Sequence, residues 1–133
     1  MKKIQSQSTS NPSSVSQAAA QAALDGSQDC VGEMVSAFKE RHDWLVEALN
    51  GLPGVDCLHG DGTFYVFPSF HAAIDADKDA TTDVEFAEKL LTEAGVALVP
   101  GSAFGVPGHM RLSFATSMDN LKQAIERLQK ALG

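Results

Sequence analysis

The sequence predicts an α/β (α+β) chain, a two-layer sandwich in which helices cover one face of a small, mainly antiparallel sheet. Three observations predict it. A long seam of Val31, Val35, Phe38, His42, Leu45 and Leu49 advances in steps of four and three, the spacing of a one-sided helix. Two β-rich runs, Val55–Leu58 and Thr63–Phe67, flank a short turn rich in glycine. An apolar run, Val96–Val99, passes through a Gly/Pro loop into a further strand that carries Arg111.

Taken in order, residues 1–10 are polar and rich in Ser and Gln, and read alone as a disordered leader. Asn11-Pro12 then has the form of an N-cap with proline in the first helical position, and the Ala-rich run continues to Leu24 until Asp25-Gly26 stops it. The long seam predicts a second helix over 28–50, broken by Gly51-Leu52-Pro53-Gly54. The two β-rich runs that follow predict a hairpin or adjacent strands, and 69–82 reads as a loop. Thr82 with Glu85 has capping-box spacing for a helix to Ala94, whose inner face is Val84, Ala87, Leu90 and Leu91 and which Gly95 ends. Ser117 caps a last helix with the stripe Leu121, Ala124, Ile125, Leu128 and Leu132.

Bulk properties narrow the function. With 133 residues, 44% of them apolar and 20% charged, the chain reads as one globular domain, small for a complete cofactor enzyme. A net charge of −7 with no basic stripe argues against nucleic acid. Cys30 and Cys57 lie far apart, as expected of reduced thiols in a cytoplasmic protein. Neither a signal peptide nor a membrane span is expected, since no apolar run nears the ~20 residues a span requires.

Among chemistry-bearing residues, Arg111 stands out. A guanidinium fixed on a strand beside a glycine-rich loop suits a planar carboxylate, gripped through two parallel hydrogen bonds. The bland alternative is a strand arginine satisfied by the chain's own carboxylates. The loop is no nucleotide cradle, because it leads into a strand and lacks a Gly-Lys-Ser/Thr ending. His42, His59, His71 and His109 are not expected to form a ligand set, and no metal site is expected. Asp75, Asp77 and Asp79 alternate like a calcium loop but lack its glycine and distal glutamate. Lys2 and Lys3 sit in polar sequence with nothing to depress an amine pKa.

Several stretches, in order and spacing, carry a family resemblance: QSQSTSNPSSVSQ, GTFYVFP (Gly62–Pro68), ALVPGSAFG and RLSFA. Together they resemble the C-terminal small domain of class I/II, fold-type I pyridoxal-phosphate (PLP) aminotransferases, the aspartate aminotransferase group. The resemblance implies that 1–13 is a linker arm from a large domain and 14–133 the small domain. It gives Arg111 the substrate α-carboxylate and sets Phe64 beside the substrate side chain, against the reading of Phe64 as a core aromatic. Phe104 either faces the active-site mouth or anchors its loop. Ser8, Thr9, Ser10 and Asn11 fall near the domain junction, against a plain solvated leader and helix cap, and Met1-Lys2-Lys3-Ile4 resembles sequence internal to family members.

The resemblance further implies PLP in the complete enzyme and transfer of an amino group between an amino acid and a 2-oxo acid. The family's Schiff-base lysine belongs to the large domain, so no bound cofactor, no catalytic residue and no turnover are expected of this chain alone. Its expected partners are the missing large domain, the amino acid and 2-oxo acid substrates, and a second copy through uncovered apolar faces. A standalone carboxylate- or partner-binding module, or a fragment that complements a separate large domain, are the competing readings.

Overall fold

A computed structural model describes residues 2–133, so Met1 and its part in the Met1–Ile4 resemblance lie outside the described residues. The chain forms two compact units, one up to Val35 and one from Ser36 to Gly133.

In the first unit the leader is helical where sequence composition suggested disorder: α1 spans Lys2–Ser8. Its hydroxyls turn back onto the helix carbonyls, Ser8 Oγ to Ile4 O at 2.7 Å and Thr9 Oγ1 to Gln5 O at 2.8 Å, a local use of Ser and Thr that composition does not report. The next helix, α2 (Ser14–Asp25), is capped by Ser13 and not by Asn11, because the Ser13 hydroxyl accepts the Ser16 N–H at 3.2 Å. Gly26 stops it as expected, donating its N–H to Ala22 O at 3.0 Å. No residue of α1 or α2 is buried.

Helix α3 (Asp29–Asn50) follows the predicted bounds closely. Its seam divides: Val31 and Val35 are exposed, Phe38 is half-buried, and His42, Leu45 and Leu49 are buried. Periodicity identifies the apolar side of a helix and is silent on how far along it a partner layer extends.

The second unit contains an antiparallel sheet of β1 (Tyr65–Val66), β2 (Val99–Pro100) and β3 (Met110–Ser113), in the order β1-β3-β2. Tyr65 pairs with Ser113 and Val66 with Leu112, while Val99 pairs with Arg111. The two β-rich runs, expected as a hairpin or adjacent strands, pair with each other in neither way; only Tyr65–Val66 of the second is a strand. Cys57 spends its backbone groups on the Asn50 amide instead, its N–H on Oδ1 at 2.8 Å and its carbonyl on Nδ2 at 2.9 Å. Asp56 bridges Ser69, which in turn bridges His109, and Thr63 takes a left-handed φ of 71° just ahead of β1.

The expected 69–82 loop contains a short helix, α4 (His71–Ala76), with Ala73 and Ile74 buried. Asp77 is structural: its Oδ1 accepts the Asp79 and Ala80 N–H groups, and Lys89 Nζ lies 2.6 Å from its Oδ2. Helix α5 (Asp83–Lys89) carries the predicted capping box, continues as a π-helical turn over Leu90–Ala94 and ends at Gly95 with φ 66°. Its buried face is Asp83, Phe86, Ala87 and Leu90; Val84 and Leu91, predicted to face inward, are exposed. The π turn adds a residue to the repeat and carries Leu91 off the buried stripe.

Helix α6 (Met118–Leu132) starts at Ser117, whose Oγ accepts the Asn120 N–H at 3.2 Å, and buries Leu121, Ile125 and Leu128. Side-chain alternation along β3 sends Met110 and Leu112 into a core shared with Leu45, Leu49, Phe70, Phe86, Phe114 and Leu128. Arg111 and Ser113 point to the opposite face. No helix is long and apolar enough to cross a membrane.

Candidate functional site

Arg111 occupies the face of β3 that turns away from the core, half-buried. The β1–β3 register sets Tyr65 opposite Ser113 and therefore diagonal to Arg111 on that face. The loop after β2 supplies the other flank. It turns as one 3₁₀ segment, Gly101–Phe104, closed by Gly105 at φ 76°. The guanidinium carbon of Arg111 lies 4.8 Å from the Phe104 ring centroid and 5.3 Å from that of Tyr65. A cation held by two aromatic rings keeps its orientation while its N–H fork stays free. Among the described residues no carboxylate or other acceptor is seated on that fork, so the bland reading of Arg111 as a satisfied strand arginine finds no partner here.

Phe104 and Arg111, both singled out from the sequence, are thus in contact. Phe64 is 54% exposed, against its core-aromatic reading, and reaches the group only through Tyr65, ring centroids 5.4 Å apart. Tyr65 itself went unremarked in the sequence, because its closeness to Arg111 depends on strand register. Behind Phe104, the Phe67 ring lies 6.0 Å away and stacks on His109 at 5.4 Å, with His71 edge-on to His109. Ser8, Thr9, Ser10 and Asn11 are exposed in the first unit. Cavities of about 360 Å³ beside Ala72, Asp77 and Lys89 and about 300 Å³ beside Ser113, Asn120 and Arg127 are not lined by Arg111.

The histidines correct the sequence reading in one respect: His42, Asp43 and His59 converge, their ligand-type atoms within 4.8 Å of one another. Gly60 donates its N–H to His42 Nε2 at 3.2 Å, which leaves the ring proton on Nδ1, directed at Asp43 Oδ1 at 3.1 Å. His59 Nε2 donates to the same oxygen at 2.9 Å, and Lys39 holds Oδ2 at 2.6 Å. Both ring nitrogens of His42 are engaged, so the group works as a hydrogen-bonded clasp between α3 and the 59–60 turn.

The Lys39 ammonium, then the His42 ring, holds the Asp43 carboxyl well below the usual carboxylate range. A carboxyl depressed in the folded state contributes stability above its unfolded value of about 3.9, and that contribution is lost as pH falls through the folded value. Asp43→Asn should therefore melt below the wild type at pH 7, with the gap shrinking in acid below about pH 4. Thermal melts of both proteins across that range check this; a gap that widens in acid would refute it.

Comparison with known proteins bears on the whole chain. The family described as aminotransferase class I and II matches residues 1–128. The chain belongs to this family. Among curated relatives, an aspartate/prephenate aminotransferase of Nitrosomonas europaea is 49% identical over 137 residues, 99% of this chain and 34% of the relative. An aspartate aminotransferase of Geobacillus stearothermophilus is 45% identical, over 98% of this chain and 33% of the relative. The crystal structure of the Rhizobium meliloti aspartate aminotransferase superposes with a TM-score of 0.87 at 44% identity, covering 97% of this chain and 33% of that one. The chain spans about a third of the length of these aminotransferases.

Family membership implies PLP in the full aminotransferase, and the lysines here do not fit its Schiff-base linkage. A lysine that forms an imine must lose its proton easily, which calls for burial or a neighbouring cation. Lys89 is the one described lysine that is not exposed. Asp77, and then Asp79, raise its pKa and keep it charged, the reverse of that requirement.

Proposed function

We propose that this chain is the small-domain portion of a PLP-dependent, aspartate aminotransferase-like enzyme, in which it holds the substrate α-carboxylate. The observation that carries the reading is the Arg111 guanidinium, flanked by Tyr65 and Phe104 with its donor fork unoccupied by any described residue. Two parallel N–H···O bonds from that fork would fix the carboxylate plane and with it the orientation of the substrate's Cα. Phe64 and Phe104, about half exposed, would border the substrate and help exclude water as the domain closes.

On this reading residues 1–13 form an arm from a large domain, and 14–133 form the small domain. The amino-group transfer, between an amino acid and a 2-oxo acid, takes place only with that large domain present. PLP bound there supplies the electron sink. Exposed apolar side chains in the first unit, among them Ile4, Val15, Leu24 and Val31, support a docked partner, either the large domain or a second copy. On this reading the enzyme works in the cytoplasm.

The test is transaminase assay of the pure chain, of a separately produced family large domain, and of the two mixed. The expected result is turnover in the mixture alone. Turnover with retained PLP by the pure chain would overturn the reading. The preformed Arg111 site also supports a second reading, a standalone carboxylate-binding module; saturable amino-acid binding without cofactor, lost in Arg111→Ala, together with no gain on mixing, would select it.

A further inference from the structure

Only two polar or charged residues are buried among those described, His42 of the clasp and Asp83. Asp83 opens α5, directly after the Thr82 cap, with 5% of its surface exposed. A carboxylate in a first helical turn is favoured by the helix dipole, but that does not account for burying it. A buried charge requires a hydrogen-bond partner. The partner is distant in sequence: Asp83 Oδ2 accepts the backbone N–H of Ser102 at 2.7 Å. Ser102 is the second residue of the 3₁₀ turn Gly101–Phe104, and two residues later Phe104 lies 4.8 Å from the Arg111 guanidinium carbon.

From this geometry we infer that Asp83 is a positioning residue for Arg111: it pins the 101–104 turn to the start of α5 and so holds the Phe104 ring against the guanidinium. The inference rests on the carboxylate-binding reading of Arg111 and deepens it. The turn has other anchors, the Gly101 N–H to His109 O at 2.7 Å, the Val106 N–H to Gly101 O at 3.0 Å and the Gly105 N–H to Ser102 O at 3.0 Å. All three stay within the 101–109 loop. The charge-assisted bond from Asp83 is the one that grips the turn from α5, and such a bond is shorter and stronger than a neutral one. Tyr65, on β1, is independent of this tether and flanks the cation from the sheet side.

The test is ¹H–¹⁵N NMR of the whole chain, following the Ser102 amide and the Arg111 Nε–H, which the aromatic rings shift by their ring currents. In Asp83→Ala the Ser102 N–H loses its carboxylate acceptor. Both signals should move toward free-chain positions while amides of core residues such as Leu45 and Leu128 stay in place. Asp83→Asn keeps an acceptor oxygen and should retain the Arg111 shift. Should Asp83→Ala fail to fold, Asp83→Ser serves in its place, its hydroxyl too short to reach Ser102. An unmoved Arg111 signal in the Ala or Ser variant overturns the tether. So does loss of the shift in Asp83→Asn to the same degree as in Asp83→Ala, which would indicate a merely structural role. The underlying reading is tested separately by kcat/KM of wild type and Arg111→Ala, each joined to a family large domain. Equal values there remove the carboxylate role, and the positioning role with it, even where the tether itself responds.

Discussion

Replacing Arg111 with Ala should reduce kcat/KM for transamination by a factor on the order of 30 to 5,000 once the chain is joined to a family large domain. The factor follows from the loss of about 2–5 kcal/mol when one partner of a desolvated, hydrogen-bonded ion pair is truncated. In open water the same contact would be worth far less, so the effect depends on closure over the substrate. Arg111→Lys should recover little. An ammonium is a point charge, without the planar fork that matches a carboxylate or the flat face that lies against Phe104 and Tyr65. The check is steady-state kinetics of wild type and both variants in the joined protein. Equal kcat/KM for wild type and Arg111→Ala would remove the proposed role.

Gly101→Ala should be strongly destabilising, because the added methyl meets backbone atoms of its own loop. A Cβ there would meet Val106 O at 2.3 Å, His109 O at 2.7 Å and His109 Cβ at 2.9 Å. Two of these are backbone oxygens of a turn already closed by the Gly101 N–H bond to His109 O, so neither can swing aside. Overpacking of this kind costs about 2–3 kcal/mol, which for a chain of this size lowers the melting temperature by roughly 10 °C. Relief could come only by moving the 101–104 turn, which would also draw Phe104 off Arg111. Thermal melts and the Arg111 NMR signal should therefore change together; a melting temperature within a degree of wild type would contradict the crowding argument.

Much of this was legible in the residues. The capping signals at Thr82/Glu85, Gly95 and Ser117 stand where local hydrogen bonding dictates, because a cap depends on neighbours within four positions. Arg111 on a strand after a Gly-rich loop could likewise be read directly. What escaped depends on distant partners. The hairpin was lost to Asn50, a side chain seven positions from the Cys57 backbone it satisfies. The His42–Asp43–His59 clasp joins residues 16 apart, with no spacing motif to announce it. Tyr65 beside Arg111 follows from strand register, which two-residue strands specify only weakly in sequence. Asp83 carries no signal in the sequence, because both its burial and its bond to Ser102, 19 positions on, depend on the fold.

The central claim, that Arg111 recognises the α-carboxylate, is tested most directly by removing the carboxylate and the arginine in turn. The measurement is kcat/KM for an L-amino acid and for its α-amide, with wild type and Arg111→Ala, each joined to a family large domain. A strong preference for the free acid is expected in the wild type and little or none in the variant, since the two deletions remove the same interaction. A preference that survives intact in Arg111→Ala would contradict it and assign the carboxylate to another residue.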